Sequence, residues 1–212
     1  MRVILFGADG NMGKRYKCIL HYLGHEVAPL EVNHKDTEMR LALTTCDKII
    51  IATPTDTHLE IIRSIYFARS EPEKPLDILC EKPVVKTAND LLRLRHLCEN
   101  ALLNVCCVNQ YAFLLGINKG TSTFGSTYDY YNTGNDGSHW DCFQVYALSK
   151  GPVSIETKSP IRRCQINGVE APSGAIMDRA YVDMLVNFLG ANDKAWNLDF
   201  IESVTHKILA VK

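Results

Sequence analysis

Arg2-Val-Ile-Leu-Phe-Gly-Ala-Asp-Gly-Asn-Met-Gly13 decides the fold. An apolar run ends at Gly7, two further glycines follow at 10 and 13, and residues 11–23 carry a helical pattern stopped by Gly24. Such a run reads as a strand buried on both faces, as in a parallel sheet. Glycine suits the turn because the backbone must bend tightly and approach a pyrophosphate with no Cβ in the way. The helix N-terminus behind it offers free N–H groups and a partial positive charge. Gly7, Asp9, Gly10, Asn11, Met12 and Gly13 are therefore expected to contact a dinucleotide. The spacing is GxxGxxG rather than GxGxxG, so the strand–turn–helix setting carries the reading.

Outward from this turn, strands are expected at residues 26–32, 48–52, 76–80 and 103–109. Helices are expected at 39–44, at 57–67 with Thr57 and Glu60 at capping-box spacing, and at 87–100 with Thr87 and Asp90 in the same relation. The alternation predicts an α/β fold, a Rossmann-type doubly wound parallel sheet over residues 1–112. Beyond, the chain turns rich in Gly, Ser, Thr, Asn and Tyr. A helix is expected at 138–149, two antiparallel strands joined by a turn at 153–157 and 162–166, and helices at 175–189 and 197–211. Residues 113–212 thus read as a reduced α+β second domain for substrate or oligomerisation.

Several side chains fall where ligands bind in such folds, at the carboxyl edge of the sheet. Glu31, at the end of the second strand, has the spacing of an acid that hydrogen-bonds an adenosine ribose. A carboxylate there repels a 2′-phosphate and favours NAD, while His34 and Lys35 nearby leave NADP open. Thr53, Pro54, Thr55 and His58 follow the third strand and are expected at the cofactor, with Asp56 read as a cap. Lys82 stands between a strand and Pro83, which fixes the backbone. An ammonium at that point stabilises the alkoxide that forms as hydride leaves a carbinol. His139 opens a helix behind Asn135-Asp-Gly-Ser138, with Ser138 as N-cap and Asp141 as capping partner; its imidazole suits a general base or acid.

Composition excludes other classes. With 23 basic and 24 acidic side chains and a net charge of −1, no basic field draws in nucleic acid or anionic lipid. The first apolar run, residues 3–6, is too short for a signal peptide or a membrane span. A cytoplasmic protein with no membrane partner is expected. Its 212 residues, 46% hydrophobic, suffice for a sizeable core. The eight cysteines form no paired C-x-x-C motifs, so buried reduced thiols and no metal site are expected, with Cys106 and Cys107 in a strand.

Taken together, the glycine turn, Glu31, Ala52-Thr-Pro-Thr-Asp-Thr-His58, the stretch from Cys80-Glu-Lys-Pro83 to Leu94, and Val105-Cys-Cys-Val-Asn-Gln-Tyr111 resemble the Gfo/Idh/MocA oxidoreductases. The resemblance implies NAD(P)-dependent hydride transfer to or from a sugar, cyclitol or related polyol. It makes Lys82 the active-site lysine and Glu81 its neighbour near the nicotinamide, and it sets Asn109 at the end of the next strand, beside the cofactor. Where the family has Asp-x-Gly-x-His, this chain reads Asn135-Asp-Gly-Ser-His139, so Asn135 replaces a carboxylate beside the catalytic histidine. Tyr111 and Trp140 are expected to line the pocket of a small-molecule substrate, and a homodimer paired through a sheet face is expected. Asn135 and a second half shorter than the family's also suit a non-catalytic dinucleotide-binding sensor or scaffold. A lesser resemblance, to dihydrodipicolinate reductases, rests on the GxxGxxG turn and Glu170-Ala-Pro-Ser-Gly174, but Arg162-Arg-Cys-Gln165 stands where their histidine–lysine cluster belongs.

Overall fold

Five short apolar runs become five parallel strands: β1 (Arg2–Phe6), β2 (Glu26–Leu30), β3 (Lys48–Ile51), β4 (Leu76–Cys80) and β5 (Leu103–Cys107), in the order β2-β1-β3-β4-β5. The helices between them are α1 (Asn11–Tyr22), α2 (Asp36–Thr45), α3 (Thr55–Ala68) and α4 (Ala88–Ala101). The expected doubly wound parallel sheet is thus present. The computed structural model describes residues 1–69, 74–114, 128–131, 153–156, 163–166, 169–170, 175–190 and 196–211. The chain divides into one unit of Met1–Val108 with Trp196–Glu202, and a second of Asn109–Ala195 with Ser203–Lys212.

In the first unit, β1 and β3 to β5 are almost wholly buried, as unbroken apolar runs require. β2 is an edge strand, which is why it tolerates Pro29. The helices supply Tyr16, Leu20, Met39, Ile61, Ile62, Ile65, Leu91 and Leu94 to the core. At the amino ends of the strands, Lys48, Asp77 and Asn104 lie in register on β3, β4 and β5. Lys48 Nζ donates to Asp77 Oδ2 at 2.8 Å and Asn104 Nδ2 donates to Asp77 Oδ1 at 2.9 Å.

Some boundaries differ from expectation. β2 stops at Leu30, so Glu31 lies just past the strand, and β5 stops at Cys107, two residues short of Asn109. α3 begins at Thr55, not Thr57, so the expected Thr57–Glu60 capping box is replaced by Pro54 as N-cap. The Thr57 hydroxyl lies 2.7 Å from the Pro54 carbonyl and 2.8 Å from Thr53 Oγ1, and Glu60 instead pairs with Arg63. α4 is capped as expected, Thr87 Oγ1 accepting from the Asp90 N–H at 3.0 Å. Cys106 and Cys107 lie in β5, both buried, whereas Cys18 is exposed.

In the second unit, β6 (Tyr128–Tyr131), β7 (Val153–Glu156), β8 (Arg163–Ile166) and β9 (Val169–Glu170) form a sheet in the order β7-β6-β8-β9. The expected hairpin between the β7 and β8 segments is not formed. β6 lies between them, parallel to β7 and antiparallel to β8. Its Tyr-Asp-Tyr-Tyr sequence has strong strand propensity and claims the central place, and β8 makes its hairpin with β9. The remaining described helices are α5 (Gln110–Leu114), α6 (Ala175–Gly190) and α7 (Leu198–Val211), the opening of α7 up to Glu202 belonging to the first unit. The helix expected at 138–149 lies outside the described residues. No helix among the described residues is long and apolar enough to cross a membrane.

Candidate cofactor and active site

The strand ends are level. Phe6 pairs with Leu30 and Ile51, Ile51 with Cys80, and Cys80 with Cys107. The loops starting at Gly7, Glu31, Ala52 and Glu81 therefore leave the sheet from one line. The chain runs from β1 out to β2 and then returns to β3 on the other side of β1. That reversal opens a crevice at the carboxyl ends of β1 and β3, the place where ligands bind in such sheets.

The three glycines of the first loop differ in what requires them. Gly7 has φ +74°, and a Cβ on it would come within 2.7 Å of the Ala52 carbonyl oxygen. A Cβ on Gly13 would lie 1.9 Å from the Gly7 carbonyl oxygen. Both are glycine for the chain's own packing. At Gly10 the nearest atoms would be Gly7 O at 3.4 Å and Ala52 O at 3.9 Å, ordinary contacts, with φ −71°. Nothing inside the described fold demands glycine there, so the demand fits a group approaching from outside. The first turn of α1 has no side-chain cap and no acidic residue, whereas α2, α3 and α4 each carry an acid in theirs. An uncapped, unneutralised N-terminus suits a pyrophosphate. Asp9 and Asn11 are exposed on this turn and Met12 is half-buried.

Glu31 leaves the end of β2 one position beyond the Phe6–Leu30 pair, with its side chain exposed. Its carbonyl accepts from the His34 N–H at 3.2 Å and faces His34 Nδ1 at 2.9 Å, and the His34 ring meets Phe6 edge-on. The carboxylate is thus presented beside the glycine turn, where a ribose would lie.

Past β3, Thr53 is buried, Thr55 half-buried and Pro54 exposed. His58, fully buried on α3, sets Nε2 2.9 Å from the Thr53 carbonyl and Nδ1 3.1 Å from the Pro83 carbonyl. It joins the loop after β3 to the loop after β4. Burial pushes its imidazole below the ordinary value, outweighing the two carbonyls and the Glu81 charge, which pull it up.

The loop after β4 begins as a sheet extension, the Glu81 N–H donating to the Ile51 carbonyl at 2.9 Å. Glu81 Oε1 accepts from the Tyr16 hydroxyl at 2.5 Å, and Oε2 from the Lys82 N–H at 3.2 Å. Lys82 is half-buried and joined to Pro83 by a cis peptide bond. Asn109 follows β5 by two residues; it is 1% exposed, and among the described residues neither its amide nitrogen nor its amide oxygen has a hydrogen-bond partner. An unpaired buried amide is costly, and a bound group that supplies both a donor and an acceptor relieves that cost. The neighbouring Gln110 donates to the Tyr181 hydroxyl at 2.8 Å, and its own Oε1 has no partner among the described residues.

Tyr111 falls in α5. Asn135, His139 and Trp140 lie outside the described residues. Sequence reasoning overlooked Tyr16. Its signal was available: Gly13, Tyr16 and Leu20 are the buried positions of α1, and a buried phenol calls for a polar partner.

The fold and edge described above define a dinucleotide-binding α/β protein. Residues 21–109 match the model of the Gfo/Idh/MocA family, an oxidoreductase family with an NAD-binding Rossmann fold. The match is in keeping with the sequence resemblance, and that family's Rossmann fold binds NAD. Among solved structures, the chain is similar to the WlbA (WbpB) dehydrogenase from Thermus thermophilus in complex with NAD and UDP-GlcNAcA, with TM-score 0.68 and 15% identity over 100% of this chain and 94% of that one. It is also similar to the MviM dehydrogenase from Clostridium difficile, with TM-score 0.71 and 13% identity over 100% of this chain and 98% of that one. A third is UDP-N-acetylglucosamine 3-dehydrogenase GnnA from Acidithiobacillus ferrooxidans, with TM-score 0.67 and 13% identity over 100% of this chain and 96% of that one. At these identities the likeness is one of fold. No curated protein matches the sequence.

Proposed function

We propose that the protein is an NAD-dependent oxidoreductase acting on a carbinol of a sugar, cyclitol or related polyol. One observation carries the reading: the level strand ends put the glycine turn and the Glu81-Lys82-Pro83 turn on one edge of one sheet, either side of β3. The α1 N-terminus and Gly10 would receive the pyrophosphate, Glu31 the adenosine ribose, and the loops after β3 and β4 the nicotinamide half. Asn109, with an unmatched donor and acceptor, is a further cofactor ligand in this scheme. His58 acts by holding the Thr53 and Pro83 loops, since both of its ring nitrogens already face backbone carbonyls.

When bound, the nicotinamide supplies the hydride acceptor or donor. Lys82 places a positive charge at the carbinol oxygen and lowers the cost of its alkoxide. His139 takes the proton, a role assigned from its sequence position alone, with Asn135 four positions before it in the motif and Tyr111 and Trp140 as substrate contacts. Two of the similar structures carry UDP-sugar names, which supports sugars and sugar nucleotides as the first substrates to try.

Titration with NADH and NADPH, followed by fluorescence, tests the cofactor; turnover on a panel of polyols, sugars and sugar nucleotides tests the reaction. Lys82→Ala is expected to retain NADH binding within about threefold and to lower turnover at least about a thousandfold. Unchanged turnover would remove Lys82 from the chemistry, and binding of nucleotide without turnover on any carbinol would favour the sensor.

A further inference from the structure

Tyr16 and Glu81 join the two halves of the proposed cofactor site. Tyr16 sits one helical turn below Gly13, on the helix whose N-terminus faces the pyrophosphate position. Its side chain is 0% exposed, yet its hydroxyl reaches Glu81 Oε1 at 2.5 Å, a bond between residues 65 apart in sequence. The other carboxylate oxygen takes the Lys82 N–H. The carboxylate is therefore oriented from both sides, by a phenol fixed in the core and by the backbone of the residue proposed as catalytic. An O–H donor on a carboxylate is among the stronger hydrogen bonds, and it is directional.

We infer that Tyr16 is a positioning residue. It holds the Glu81 carboxylate toward the nicotinamide end of the site, and the carboxylate's negative charge there favours the oxidised cofactor, whose ring is cationic, over the reduced one, whose ring is neutral. The inference rests on the proposed function, which sets the nicotinamide at the loop after β4. Charge at short range in a partly dehydrated crevice discriminates strongly between a cation and a neutral ring. A carboxylate free to swing into solvent discriminates less. A phenol that only filled space in the core would leave this balance untouched, which separates the two roles.

The test measures dissociation constants for NADH by fluorescence and for NAD+ by competition, on the full chain, for wild type, Y16F, E81Q and the double variant. E81Q is expected to weaken NAD+ about tenfold relative to NADH, the size of effect a charge at that range gives. Y16F is expected to move the same ratio in the same direction by about threefold, the loss of one directing hydrogen bond. In the E81Q background, Y16F should move it no further, because it acts through the carboxylate. The inference is overturned if Y16F shifts both affinities equally, or if E81Q leaves the ratio unchanged. Should Y16F fail to fold, Glu81→Asp replaces it, keeping the charge but drawing it back from the phenol; an unchanged ratio there is equally fatal. If wild type binds neither nucleotide, the proposed function itself fails, an outcome separable from binding with an unaltered ratio.

Discussion

The two ends of the five-stranded sheet are built on opposite plans. At the amino end, Lys48, Asp77 and Asn104 stand side by side on three strands and satisfy one another. At the carboxyl end, α1 is left uncapped, Gly10 keeps a space its own neighbours do not need, and the residue two past β5 buries an amide with no partner among the described residues. One end pairs polar side chains across three strands and the other leaves a helix N-terminus and a glycine turn open. Buried polar groups stabilise a fold when matched, and they mark a binding place when held in an unmatched arrangement. The comparison supports the carboxyl end as the proposed binding edge without reference to any relative.

Substitutions can break or sharpen it. The largest effect breaks it: Gly13→Val lies at the carboxyl end, yet its Cβ would fall 1.9 Å from the Gly7 carbonyl, so the fold itself should be lost, by more than about 4 kcal/mol. Gly10→Val in the same turn should leave the melting temperature within a few degrees while lowering NADH affinity at least about tenfold. Equal loss of melting temperature in both variants would mean that Gly10 is as structural as Gly13. Next, Asp77→Ala at the amino end leaves the Lys48 ammonium, 10% exposed, without its carboxylate. It should cost about 3 kcal/mol in denaturant titrations and leave NADH affinity unchanged. A change in affinity would show that the two ends are not independent.

The smallest effect concerns pH. His58 has a folded pKa below its unfolded one, so the unfolded chain takes up the proton first as pH falls. Its contribution to stability is complete above the ordinary histidine range and declines as pH drops through that range toward the folded value. His58→Gln should flatten the slope of melting temperature against pH between about 7 and 5. An unaltered slope would assign it to other groups.

Much of the first unit was legible because its signals are local. Val3 to Phe6 and Ile49 to Ile51 are unbroken apolar runs that only a strand covered on both faces accommodates, and the glycine turn declares the helix behind it. The Thr87–Asp90 cap is legible because its bond closes over three residues. The Thr57–Glu60 spacing misleads because the helix starts two residues earlier, with Pro54 as its N-cap. Long-range facts were not legible. Nothing near Tyr16 announces Glu81, and nothing in the β7 and β8 segments announces that β6, Tyr128–Tyr131, would come between them. Strand order depends on which partner wins, and that competition is settled between segments far apart in sequence.

β5 is an edge strand, and its Cys107 N–H donates to the Trp196 carbonyl at 2.8 Å. Arg95 on α4 forks onto Glu202 in the opening turns of α7, with Nε 2.6 Å from Oε1. The segment Trp196–Glu202 thus belongs to the sheet unit although Asn109–Ala195 intervenes. On the ribosome, the strands of that unit emerge first, but the clasp on β5 is synthesised only after the whole intervening segment. Until then the nascent sheet carries an open edge of the kind that recruits stray strands. The sheet of the first unit is therefore begun early and finished late, and its vulnerable interval is set by the time needed to translate the intervening Asn109–Ala195.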